Sequence, residues 1–167
     1  MNTDLKSIPA DFSPDSAVWI YQSDRPLTER ETRMIRELIR QFTIRWTAHN
    51  VDLKAWGDVF YQRFIVLAVD NSVAPASGCS IDKSVHFLKE LEAHFGIHLF
   101  DRLLLPYFNE GAITGIHKSE IKAALDEGAL SGETLVFDHT VRSLQELKET
   151  WIRPLKDSWA RYLLPAR

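Results

Sequence analysis

The chain has 167 residues, 45% of them hydrophobic and 26% charged, with a formal net charge of −3. That composition suits a single soluble α+β domain with a sizeable core, and the acidic balance points away from nucleic acid and anionic membranes as partners. The lone cysteine excludes an intrachain disulfide and any multi-cysteine zinc or iron–sulfur site, and no apolar run is long enough to cross a bilayer.

The start, Met1-Asn2-Thr3-Asp4-Leu5-Lys6, lacks the basic and apolar stretches of a signal peptide, so a cytoplasmic protein is expected. Residues 1–16, with Pro9 and Pro14, read as an irregular lead-in. Ala17-Val18-Trp19-Ile20-Tyr21 has strand character. Thr28 then opens a helix, with Glu31 three residues on to complete a capping box. Ile35, Leu38, Ile39, Phe42 and Trp46 fall in one apolar arc, with Arg33, Arg36 and Arg40 opposite. His49-Asn50 is the expected end of this helix, because Asn tolerates the left-handed backbone that closes helices.

Two strands are expected next, near residues 54–61 and at Phe64-Ile65-Val66-Leu67-Ala68-Val69; the second is apolar throughout and so buried on both faces. A second helix runs from about Ser80 to Phe95, stopped by Gly96, with Ile81, Val85, Leu88, Leu91 and Phe95 as its core stripe. His98-Leu99-Phe100 and Leu103-Leu104-Leu105 resume extended character. Asn109-Glu110-Gly111 turns the chain into a returning strand at 112–116. A helix at 119–127, a strand at 134–137, a helix at 143–150 and an aromatic tail follow. The order β-α-β-β-α-β matches a ferredoxin-like arrangement, extended by hairpin, helix, strand and helix, with helices packed on a mainly antiparallel sheet.

The blocks Val18-Trp19-Ile20-Tyr21-Gln22-Ser23, Ala76-Ser77-Gly78-Cys79-Ser80-Ile81-Asp82, Leu99-Phe100-Asp101-Arg102, Thr134-Leu135-Val136-Phe137 and Ser158-Trp159 resemble an uncharacterised bacterial family often labelled "ABC transporter ATPase". An ATPase of that class needs the loop G-x-x-x-x-G-K-[ST] to cradle phosphates, and no such segment occurs here. The stretch from Ile113 to Phe137 is similar to part of the GYF-like modules, which hold proline-rich peptides with aromatic residues; the Gly-Tyr-Phe element itself is missing.

The segment around Cys79 carries the most chemistry. Ser77, Gly78 and Ser80 at a helix entrance are the residue types that hold a phosphate or carboxylate, with Asp82 beside them. The leading expectation is therefore a small-molecule or anion-binding protein that uses the junction 77–80. Cys79 itself, at a helix N-terminus, suggests a cysteine-dependent enzyme or a redox-sensitive thiol, although no base can be assigned to it. A third reading is a non-catalytic interaction module that presents Trp151 and Trp159 to a protein partner. His86, Glu90 and His94 share a helical spacing that reads as a solvated face, so no metal site and no cofactor are expected.

Overall fold

A computed structural model describes residues 3–166; the first two residues of the expected lead-in lie outside it. In chain order the elements are β1 (Ala17–Gln22), α1 (Glu29–Arg45), β2 (Thr47–Ala48), β3 (Val51–Asp52), β4 (Ala55–Phe60), β5 (Phe64–Val69), α2 (Gly78–Phe95), β6 (Leu104–Asn109), β7 (Ala112–His117), α3 (Lys118–Asp126), β8 (Leu135–Phe137), α4 (Leu144–Thr150) and β9 (Ile152–Pro154). The fold is mixed α+β, with antiparallel sheets. The chain divides into two compact units. The first takes the residues through Phe100 together with Arg142–Lys148, and the second takes Asp101–Val141 and the residues from Glu149.

In the first unit β5 is the central strand of the sheet β1-β5-β4, and all six of its residues are buried. β1 pairs with it from Ala17↔Val69 to Gln22↔Phe64, and β4 from Ala55↔Val69 to Phe60↔Phe64. Val59, Ile65, Leu67 and Val69 share one core cluster with Ile35 and Ile39 of α1 and Leu88 and Leu91 of α2. Each fully buried Ile or Leu contributes roughly 1.5–3 kcal/mol. α1 lies close to the sheet at Gly57, where a Cβ would stand 2.7 Å from Ile39 Cγ2 and 2.8 Å from Leu67 Cδ2. Any larger residue would push helix and strand apart.

The capping box at Thr28 forms as the spacing predicts: Glu31 N donates to Thr28 Oγ1 and Thr28 N donates to Glu31 Oε2. The end of α1 differs from expectation. The helix stops at Arg45, and His49 and Asn50 (φ 49° and 62°) form the two-residue turn between β2 and β3. Left-handed backbone serves tight hairpins as well as helix ends, so Asn50 alone could not separate the two.

The fourth strand of the expected six-element order is absent, because residues 98–100 are irregular. Two carboxylates take the amides a strand would have used: His98 N donates to Asp24 Oδ1 at 2.9 Å and Leu99 N to Glu92 Oε2 at 2.7 Å. The outer edge of β1 is met instead by the segment leading into α4. Val18 N donates to Arg142 O, Leu144 N donates to Ser16 O, and Ala17 forms a single bridge with Ser143.

In the second unit the sheet order is β7-β6-β8-β9. The β6–β7 hairpin turns at Glu110 and Gly111 (φ 49° and 83°), as the Asn-Glu-Gly triplet implies. Its core gathers Leu105, Ile121, Leu130, Val136, Leu155 and Ala160. β9 was not expected; the tail adds this short strand and two 3-10 turns rather than a simple aromatic cover.

Each unit carries an aspartate at the end of a strand. Asp70 follows β5 and accepts from Ser72 N (3.0 Å) and Ser72 Oγ (2.6 Å) through Oδ1, and from Ser13 N (3.1 Å) through Oδ2. Asp138 follows β8 and accepts from Thr140 N (3.0 Å) and Thr140 Oγ1 (2.6 Å) through Oδ1, and from Trp159 N (3.2 Å) through Oδ2. Both are 1% exposed.

Candidate functional site

At the strand-to-helix junction the structure brings the predicted residues together, but it occupies the serines. Ser77, not Ser80, is the N-cap of α2. Its hydroxyl accepts from Ser80 N at 3.2 Å, its own N–H donates to Ser80 Oγ at 2.7 Å, and Ser80 Oγ donates to Ser77 O at 2.8 Å. Ser80 is fully buried. This reciprocal capping engages both serine hydroxyls and the Ser77 and Ser80 amides. Gly78 and Cys79 are exposed in the first turn, and Asp82 is exposed just beyond it. A Cβ at Gly78 would meet nothing within 4 Å, so no neighbour requires glycine there.

The inward face of α2 is Ser80, Ser84, Leu88 and Leu91, while Ile81 and Val85 are only half-buried. Ser84 Oγ donates to Ile81 O at 2.6 Å, and Ser80 O accepts from the indole Nε1 of Trp46 at 2.8 Å. Two serines can face a core because the helix backbone satisfies them, which rotates the packed face away from the expected stripe.

The arginines opposite the α1 core are held in ion pairs. Arg36 Nε lies 2.7 Å from Asp58 Oδ1, Arg40 Nη2 lies 2.7 Å from Glu37 Oε1, and Arg33 Nη1 lies 3.8 Å from Glu29 Oε2. Hydrogen bonds from Arg40 and Gln41 hold the Glu37 carboxyl at a pKa of about 2. Among the described residues no group of three or more His, Cys, Asp or Glu side chains is placed to hold a metal ion, and no helix is long and apolar enough to cross a membrane.

In the aromatic tail, Trp151 is interior, 1% exposed, and so offers no surface to a partner in this fold. Its ring stands edge-on to Phe137, and its Nε1 donates to His139 Nδ1 at 3.1 Å. Burial holds His139 down to a pKa of about 3, and the indole N–H aimed at its Nδ1 favours the same neutral form. Trp159 is half-buried against the second core.

The site the sequence did not reveal is a cleft of about 680 Å³ between α1 and α2, within the first unit. The helices run antiparallel: Arg25, just before α1, donates to Phe95 O at the end of α2, whereas Trp46, just after α1, reaches Ser80 near its start. Met34, Leu38, Phe87 and Leu91 line the cleft, and Arg33, Glu37, Glu90 and His94 stand around them. Phe42 stacks on Phe87 at 4.5 Å with ring planes 2° apart, toward the Trp46 end. Sites for drug-sized molecules usually measure roughly 300–1,000 Å³ and are mostly apolar. The available signal was Met34 on α1 and Phe87 on α2, large apolar residues outside the expected core stripes of their helices. No protein-family model, curated protein or solved structure matches this chain.

Proposed function

We propose that this is a small-molecule-binding protein whose ligand has an apolar body and lies in the α1–α2 cleft. The observation that carries the reading is the open apolar lining: Met34 remains 38% exposed although Leu91 beside the cleft is buried and Leu38 and Phe87 pack on the core. Apolar surface left open in a groove and flanked by charges is what a ligand with a hydrophobic body would cover. The reading is one of binding, carried by the apolar lining. In this reading the ligand lies in the cleft and not at the 77–80 turn, whose serine hydroxyls are engaged in capping.

The test is titration with Nile red, a neutral dye that brightens in apolar surroundings. The parent protein should bind it saturably. Met34→Lys should weaken binding about tenfold with little change in melting temperature, because Met34 is partly exposed. Dye binding that Met34→Lys leaves unaltered would remove the cleft from consideration.

A further inference from the structure

Building on the cleft reading, we infer that its ligand is a medium-chain carboxylate held as a free monomer, with its charged head at the Arg33–His94 end. The antiparallel register sets the polarity of the groove. Arg33 and His94 fall at the end near Arg25, Glu37 and Glu90 come next, and the stacked Phe42 and Phe87 lie toward the other end.

Each of these groups then has a consequence for an anion. Arg33 is held only loosely by Glu29, at 3.8 Å, and its side chain is 69% exposed, so it can turn to a carboxylate. An imidazole can donate a ring N–H in either protonation state, so His94 can add a second hydrogen bond. The carbonyl end of α2 would repel an anion here, but Arg25 Nη2 donates to Phe95 O at 2.8 Å and offsets it. Arg40 pairs with the Glu37 carboxylate and Gln41 donates a hydrogen bond to it. Glu90 stands between the two ends of the groove and disfavours a second carboxylate beside it, which confines the head to the outer end. From Arg33 to Phe42 the helix rises about 14 Å, the reach of a medium-length acyl chain.

The experiment is displacement of Nile red by laurate, below its micellar concentration, and by dodecanol, its neutral counterpart. On the parent, laurate should bind about fivefold more tightly than dodecanol, the scale of a partly exposed charge-assisted contact. In the double variant Arg33→Gln, His94→Gln that preference should vanish, and Glu90→Gln should tighten laurate about twofold. Equal binding of laurate and dodecanol by the parent would overturn the carboxylate and leave the apolar-ligand reading standing; binding of neither would end both. Two further outcomes would overturn the inference. One is pelleting with anionic vesicles without binding of monomeric laurate. The other is self-association that Met34→Lys abolishes and laurate leaves intact.

Discussion

Asp70 and Asp138 solve the same problem with the same local geometry, yet they are tied differently to their surroundings. Each ends a strand in the pattern Asp-x-Ser/Thr and takes two bonds from the residue two places on, at 3.0 and 2.6 Å. Each reaches a distant amide: Asp70 pins Ser13 in the lead-in, and Asp138 pins Trp159 in the tail. The cation differs. Lys54 Nζ lies 3.1 Å from Asp70 Oδ2 and is itself anchored by Asp11 and by the ring of Phe12 at 4.8 Å. Arg153 Nε stays 3.6 Å from Asp138 Oδ2 and donates instead to Thr150 O at 2.5 Å. A turn motif can therefore be copied without its electrostatics. Hydrogen bonds from Ser72, Ser13 and Lys54 hold Asp70 well below the usual carboxylate range, whereas the titrating group beside Asp138 is His139.

The largest effects should come from removing the carboxylates. Asp70→Ala removes one of the two carboxylates at Lys54 and unpairs the Ser13 and Ser72 amides, and should cost about 3–4 kcal/mol, read from hydrogen exchange of β5 amides; Asp138→Ala should cost about 2–3 kcal/mol at β8. Equal losses would show that the nearer cation adds nothing.

The second test is pH. His139 titrates lower in the folded protein than its ordinary 6.5, so the unfolded chain takes up the proton first and stability falls as pH drops from about 6.5 toward 3. Asp70 is depressed as a carboxylate, so its contribution persists down to about pH 4 and is lost only below that. Protection at β8 should decline by up to about 2 kcal/mol between pH 7 and 5 while β5 holds, and His139→Gln should flatten the β8 profile. Parallel decline of both strands would break the contrast.

The smallest difference is between the cations. Lys54→Met should lower the urea midpoint more than Arg153→Met does, because Lys54 stands closer to its carboxylate.

How much of this could be read from the residues depended on the range of the interaction. The Thr28–Glu31 box, the β5 run and the Glu110–Gly111 turn were legible because each is decided within a few positions. The reading failed at 98–100, where Asp24 and Glu92 replace strand partners, and on α2, where Ser80 and Ser84 face inward. The two aspartate turns show the same limit. Their Ser and Thr partners lie two residues away, whereas Ser13 lies 57 residues from Asp70. The cleft was out of reach because Met34 and Phe87 meet only through the tertiary approach of two helices.

The residues that close the edge of β1 have a consequence for synthesis. Arg142, Ser143 and Leu144 leave the ribosome after the whole of the 101–141 segment, so the first unit cannot be completed as soon as its own strands have been translated. A nascent chain stalled before Arg142 carries β1 with the Val18 N–H and Ser16 carbonyl unclaimed, a template for pairing with another copy.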